Sequence, residues 1–464
     1  MKTNELRRTF FRYIFFNILS TLGVSVYILI DTFFIAKGMG ADGLAALNLC
    51  LPVFNFINGF GLMLGMGGGS RFSMLYCRIE RAETDKIYTN AFWTAMAVSV
   101  CFVLSGLFFS RQLTALLGAD SSVFELAHGY MKTVLLFAPA FILNNLLVCF
   151  LRNDCAPRLA MAGVVGSSMA NIILDYVFIF VLDGGMKGAA LATCLSPLIS
   201  MAIMSIHFVT GWNAFRLRIV RPSRTIIRSI LSLGLHAFVT ECSGGIVIIV
   251  FNYVIYRLCG NTGIAAYGVV ANLAIVFTAI FTGLSGGVQP LLCQCRGARD
   301  KESACYLLRL AMRTALVMAA LAYGGVFLNT AGLTAVFNSQ NDAQLSALAE
   351  QGMRLYFLFL PFMGINSVFS VYYTSCEKPL LSQIISLLRG TILVIPLAFL
   401  VLRMHSMNGI WLTVPAAELL TAAAALAFYT YMKKPYSTYL YQYIPKQHTH
   451  ILQRYDILED YRRS

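Results

Sequence analysis

Charge is what this chain lacks. Of its 464 residues only 12% are Asp, Glu, Lys or Arg, while 58% are apolar; soluble domains run nearer a quarter charged and half apolar. A soluble chain of this length would divide into two or three domains. Here the apolar content is spread over the whole length and leaves no room for a soluble one. A disulfide framework is missing too. The twelve cysteines lie almost all inside apolar runs. Cys293 and Cys295 are spaced wrongly for a zinc pair, and no Cys/His partner set accompanies them. They read as small apolar fillers, and neither a metal centre nor an organic cofactor is expected. No small-residue cleavage site follows Lys2, Arg7 and Arg8. The apolar run from Phe10 continues past Ile30, so segment 1–12 reads as a cytoplasmic end leading into a first span rather than a signal peptide. The net charge of +14 sits in short clusters between apolar runs, which suits anionic lipid headgroups and argues against nucleic acid.

What the chain does have is a series of long apolar runs. A bilayer core of about 30 Å needs about 20 mostly apolar residues as a helix. Twelve runs qualify: 13–36, 44–70, 88–109, 126–150, 159–182, 186–210, 226–256, 264–291, 308–328, 346–375, 380–402 and 409–432. The expected fold is an all-α integral membrane protein. Prolines inside the runs (Pro52, Pro139, Pro197, Pro361, Pro396, Pro415) free carbonyls that neighbouring helices must satisfy. Lys and Arg set the orientation. With the N-terminus inside, roughly 25 of the 35 basic residues fall on the inner side. The outer loops keep Lys37, Arg111, Lys187, Arg257 and Arg403. Both termini are expected in the cytoplasm, and the chain in the cell membrane.

The two halves repeat each other at an offset of about 220 residues. Gly40-Ala41-Asp42-Gly43-Leu44-Ala45-Ala46 recurs as Gly260-Asn261-Thr262-Gly263-Ile264-Ala265-Ala266. Met131-Lys132 before Pro139 recurs as Met353-Arg354 before Pro361, and Pro157 recurs as Pro379. Six spans per half make the repeats parallel, related by a pseudo-two-fold axis along the membrane normal, an arrangement known in secondary transporters. The expected division is an N-lobe at 13–210, a basic cytoplasmic linker at 211–225, a C-lobe at 226–432 and a cytoplasmic tail at 433–464.

Ionisable groups inside spans are functional candidates by default. Asp31 lies about 8 Å from the outer end of its span, and Asp175 and Thr193 roughly 10 Å from theirs. Asn171 and Asp175 share a helix face at i, i+4. Two carboxylates, an amide and a hydroxyl at one depth suit an all-oxygen cation site or a carboxyl pair holding a proton. Each alone would read as a hydrogen-bonded structural residue; four at a common depth weaken that reading. Glu241 and Glu418 fall mid-span in the second half, as a coupling or substrate-binding pair or as structural glutamates, with Arg389 as counter-charge. Lys132 and Arg354 read as snorkelling. His236 is a lesser proton-relay candidate. Gly65 to Gly69 lies within an apolar helix and reads as close helix packing rather than a phosphate loop.

Certain segments together carry a family resemblance. They are Asp31-Thr32-Phe33-Phe34-Ile35-Ala36 with Gly40; Asn171-Ile172-Ile173-Leu174-Asp175 with Phe178-Ile179-Phe180; Gly188-Ala189-Ala190-Leu191-Ala192-Thr193; and Gly287-Val288-Gln289-Pro290 with Gly297-Ala298. Over nearly its full length the chain resembles the multidrug and toxic compound extrusion (MATE) family, in the bacterial branch named for a DNA-damage-inducible protein. The resemblance implies two six-helix lobes and export of drug-like, often cationic compounds against inward sodium ions or protons. It also implies a coupling site in the N-lobe, at positions matching Asp31, Asn171, Asp175 and Thr193. Two places depart from the branch: Leu235-His236 where Leu-Pro is usual, and Cys295-Arg296-Gly297 where Asn-Tyr-Gly is usual. The expected partners are small organic substrates and membrane lipids, with the chain a monomer. A flippase for a lipid-linked saccharide is the competing expectation. A membrane-embedded enzyme would need a nucleophile-base pair or metal ligands at matched depth, and the sequence offers no such set.

The charge asymmetry makes a topology prediction. In intact cells an impermeant thiol reagent should label Cys259 from outside and reach Cys305 and Cys376 only after permeabilisation. Outside labelling of Cys305 would reverse the assigned orientation.

Overall fold

A computed structural model describes residues 3–76, 81–121, 123–211, 213–337 and 343–433. Almost all of the tail 433–464 therefore lies outside the described residues. Every regular element among those described is helical. Twelve spans emerge: α1 (Asn4–Gly40), α2 (Asp42–Tyr76), α3 (Glu83–Phe108), α4 (Phe124–Leu136 with Ala138–Asn153), α5 (Pro157–Val181), α6 (Gly185–Val209), α7 (Arg224–Gly260), α8 (Thr262–Gly297), α9 (Lys301–Leu328), α10 (Ala343–Ser375), α11 (Pro379–Arg403) and α12 (Met407–Met432). Large apolar side chains such as Phe15, Trp93, Ile173, Ile249 and Leu321 are exposed, as a bundle dissolved in lipid requires.

The fourth span, which carries Pro139, is a pair bent by 51°. Pro139, in the first turn of the second piece, has no N–H to donate across the joint. One expectation about the spans needs correction: the loops expected after the first and seventh spans are absent. Helix continues on both sides of Gly40 (φ 64°, ψ −151°) and Gly260 (φ 62°, ψ −151°). Only glycine adopts that conformation freely, so a single residue makes each turn.

Those two glycines show that the repeat extends to the backbone. Cys155 and Glu377, which precede the fifth and eleventh spans, share left-handed φ values of 61° and 58°; Asp183 and His405, after those spans, share 49° and 48°. Both spans carry a π-helical segment, Val177–Val181 in α5 and Leu388–Ile392 in α11.

The apolar packing crosses between the halves. Leu6, Phe10, Tyr13 and Ile14 of α1 belong to the cluster built by the second half, and Ile230 of α7 to that of the first. The described residues up to 210 and those from 224 onward are thus interlocked near the face that carries the connection between them, called here the linker face. Glycine makes the crossing possible. A Cβ at Gly67 would lie 2.0 Å from Ile230 O, and one at Gly234 1.8 Å from Met63 O; on the other side a Cβ at Gly283 would lie 2.6 Å from Ile18 Cα. Polar ties follow the same seam: Thr21 Oγ1 donates to Ala279 O at 2.8 Å, Gln289 Nε2 to Met66 O at 3.3 Å, and Arg71 pairs with Glu377 at 3.0 Å.

The connection itself is tied down. Backbone N–H groups of Arg216 and Ser223 donate to Asp85 and Asn90, each at 2.8 Å, and that of Arg218 to Thr89 at 3.1 Å. Asp154, paired with His207 at 2.8 Å, accepts from Ala214 N. The strap therefore belongs mechanically to the first half.

Overpacking the seam should be costly where open glycines are not. Gly234→Val is expected to destabilise by about 1–3 kcal/mol or more, read as a lowered Tm in detergent. Gly324, with open space around it, should accept Ala with a neutral or slightly raised Tm.

Candidate functional site

Asp31 on α1 and Asp175 on α5 are buried, 7% and 0% exposed, and lie close enough for each carboxyl to bear on the other. Two carboxylates so placed repel each other unless a proton or a cation is taken up. Neither oxygen of Asp175, nor Asp31 Oδ1, nor either polar atom of the Asn171 side chain has a hydrogen-bond partner among the described residues. Thr193 on α6 donates to Ala189 O at 3.1 Å and lies within reach of the Tyr130 hydroxyl from α4. Four helices thus bring oxygen-bearing groups into one buried region, and the π-helical segment of α5 begins two residues after Asp175. Such segments recur at functional sites because they re-aim the side chains beside them.

Two residues of this region escape a reading of the sequence. Tyr130 and Tyr27 look like ordinary aromatic residues of apolar spans. Yet Tyr130 is 3% exposed beside Thr193, and Tyr27 lies in the electrostatic field of Asp31, Asp175 and Glu241 together. Tyr27 precedes Asp31 by one helical turn, and that spacing was the available signal.

The second-half candidates separate into two places. Arg389 pairs with Glu418 at 2.8 Å and donates to Ser367 at 3.2 Å, while Asn366 donates to Glu418 Oε2 at 2.6 Å. This is a closed set in which each charge has its partner. Glu241 makes no ion pair or hydrogen bond with it among the described residues; it lies instead within electrostatic range of Tyr27, across the seam. His236 is engaged elsewhere, with Leu233 O at 3.0 Å and Thr374 Oγ1 at 3.4 Å, in a buried hydroxyl network that continues to Ser382 and Ser370.

A family profile described as MatE matches residues 17–177 and 237–400, one segment in each half. The chain belongs to the MatE family. Among proteins similar to this MatE chain are two multidrug export proteins MepA. The one from Staphylococcus saprophyticus subsp. saprophyticus is 28% identical over 403 residues, covering 86% of this chain and 88% of that protein. The one from Staphylococcus aureus strain NCTC 8325 is 26% identical over 413 residues, covering 88% and 90%. Two solved structures share the fold. A crystal structure of MATE in complex with MaL6 gives a TM-score of 0.87 at 21% identity, over 92% of this chain and 96% of that one. An outward-facing multidrug resistance MATE family transporter of the MOP superfamily gives 0.87 at 21%, over 93% and 98%.

The two carboxyl clusters of this MatE chain should respond oppositely to neutralisation. Glu418→Ala leaves Arg389 buried without its partner and should destabilise by about 3–5 kcal/mol; the double variant Glu418→Ala with Arg389→Met should recover much of that loss. Asp175→Asn removes a charge from a like-charged pair and should leave Tm unchanged or raised. Thermal unfolding of the three variants in one detergent measures all of this.

Proposed function

We propose that the chain is a secondary active transporter. It exports small organic, cationic or amphipathic compounds in exchange for inward sodium ions or protons, with the linker face in the cytoplasm of a cell-membrane monomer. One observation carries the reading: two neighbouring carboxyl groups buried inside the bundle, neither of them paired with a protein cation among the described residues. In a chain whose relatives are named multidrug export proteins, that pair is suited to take up and release the coupling ion. Asn171, Thr193 and Tyr130 supply further oxygen atoms nearby. A proton would sit between the carboxyl groups; a sodium ion would use the same oxygens as ligands.

Glu241, on the other side of the seam and without an ion-pair partner among the described residues, is the group best placed to attract a cationic substrate. Ion and substrate then occupy different places, and each favours a different arrangement of the halves. Such coupling is reciprocal in binding. Ties along the linker-face half support an arrangement closed on that side, and opening those ties would give access from the cytoplasm. A flippase for lipid-linked saccharides draws less support, because Arg389 is neutralised by Glu418 and offers no free charge to a pyrophosphate.

Transport in liposomes with separately imposed sodium and proton gradients tests the proposal. Asp31→Asn and Asp175→Asn should each abolish gradient-driven export of an organic cation, and Glu241→Gln should weaken substrate binding about tenfold while sparing binding of the coupling ion. In a substrate titration the coupling cation should weaken affinity to a plateau. Wild-type export by both aspartate variants would remove the coupling role, and loss of affinity without a plateau would mean one shared site.

A further inference from the structure

A trough of about 690 Å³ runs along the side of the molecule between the halves, away from the carboxyl clusters. Phe60 and Met63 of α2 and Thr94 and Val98 of α3 form one wall. Ile227, Leu231, Ser232 and Leu235 of α7 form the other, with Gln383 of α11 nearby. At its linker-face end stand Arg224 and Arg228. Both are exposed, and neither makes an ion pair or a hydrogen bond among the described residues. The nearby acid Asp85 is already committed, accepting from Arg216 N and pairing with Arg218 at 2.9 Å.

The order of residues along α7 is that of a lipid. Positions 224, 227, 228, 231, 232 and 235 follow the i, i+3, i+4 spacing of a single helix face, with two guanidinium groups first and an apolar stripe after them. From Arg224 to Leu235 the helix rises about 17 Å, close to half of a bilayer core of about 30 Å. In a bilayer with the linker face at its surface the trough would span one leaflet, its charges at the water interface and its apolar walls at acyl-chain depth. Leu235 is 36% exposed, so the trough opens sideways and a chain can enter from the membrane. Its volume is that of a small-molecule site.

We propose that this trough binds a phospholipid with a net negative headgroup, its phosphate between Arg224 and Arg228 and an acyl chain along Leu231 and Val98. Basic pockets between spans commonly hold acidic lipids in this way. Because the walls come from α2 and α3 on one side and α7 on the other, the bound lipid stabilises the arrangement in which the halves meet at the linker face. This inference stands apart from the transport reading, since its test involves no transport.

The test titrates the purified full-length protein with phosphatidylglycerol or phosphatidylcholine and counts bound lipid by native mass spectrometry. One phosphatidylglycerol should bind well ahead of phosphatidylcholine. Losing both charges in Arg224→Gln with Arg228→Gln should weaken it about thirtyfold, as two interfacial charges of about 1 kcal/mol each imply. Arg309→Gln with Arg313→Gln removes the same charge from exposed positions one turn apart on α9 and should change affinity less than threefold. Glycerol phosphate, which has the headgroup without tails, should not compete. Equal binding of the two lipids, equal losses in the two double variants, or full competition by glycerol phosphate would each overturn the proposal. Should the Arg224/Arg228 variant unfold, Leu231→Trp fills the trough with the charges in place, and wild-type lipid affinity in that variant would also overturn it.

Discussion

Inside a bilayer no water is at hand to satisfy a polar group, so each one must find a partner within the bundle or be held for something that comes from outside. The distribution of polar side chains in this chain follows from that constraint. Most find a carbonyl one turn back on their own helix, as Ser20, Thr94, Ser99, Thr133 and Thr421 do. Arg389, Glu418 and Ser367 satisfy one another, and Asn366 donates to Glu418. Single exceptions are scattered through the bundle, and the cluster of Asp31, Asn171 and Asp175 gathers the most, five buried polar atoms with no partner among the described residues. Under the proposed role, uptake of an ion would offset the cost of leaving those atoms unpaired.

The same constraint explains how the halves are joined. Lipid gives no hydrophobic reason for two apolar helices to associate, so close approach and direct polar contact must do it. Gly67 and Gly234 let α2 and α7 touch backbone to backbone; Gly283 and Gly287 do the same for α8 against α1. The hydrogen bonds of Thr21 and Gln289 and the Arg71–Glu377 pair lie along these contacts. A seam of small residues and a few polar bonds is tight without being deep, the kind of interface that two rigid bodies can leave and re-form. The strap at 213–223 is fastened to the first half by Asp85, Thr89, Asn90 and Asp154, so relative motion would concentrate at the start of α7, beside the trough that ends in Arg224 and Arg228.

Much of this was legible in the sequence, because the bilayer allows so few solutions. Runs of apolar residues must be helices, twelve of them make a bundle, and repeats such as Gly40 with Gly260 and Pro157 with Pro379 show that one half copies the other. Asp31, Asn171, Asp175 and Thr193 stood out because carboxyl and amide groups at one depth of apolar helices are costly to keep there without a use. Their separation along the chain did not matter, since depth alone groups them.

What the sequence could not determine is what each helix turns toward. The pairing of Arg389 with Glu418 rather than Glu241 depends on the rotation of α7, α11 and α12 about their axes. Placement of half-buried Tyr27 and buried Tyr130 near the carboxyl groups likewise depends on how α1 and α4 pack, because an aromatic ring in an apolar span looks the same whichever way it faces. The crossing of α1 into the second half's core comes from contacts between residues more than two hundred positions apart. Sequence by itself determined the number and the repeat of the spans, since hydrophobicity acts locally. Only the tertiary structure decided which polar groups meet, since that is a property of helix faces and their angles.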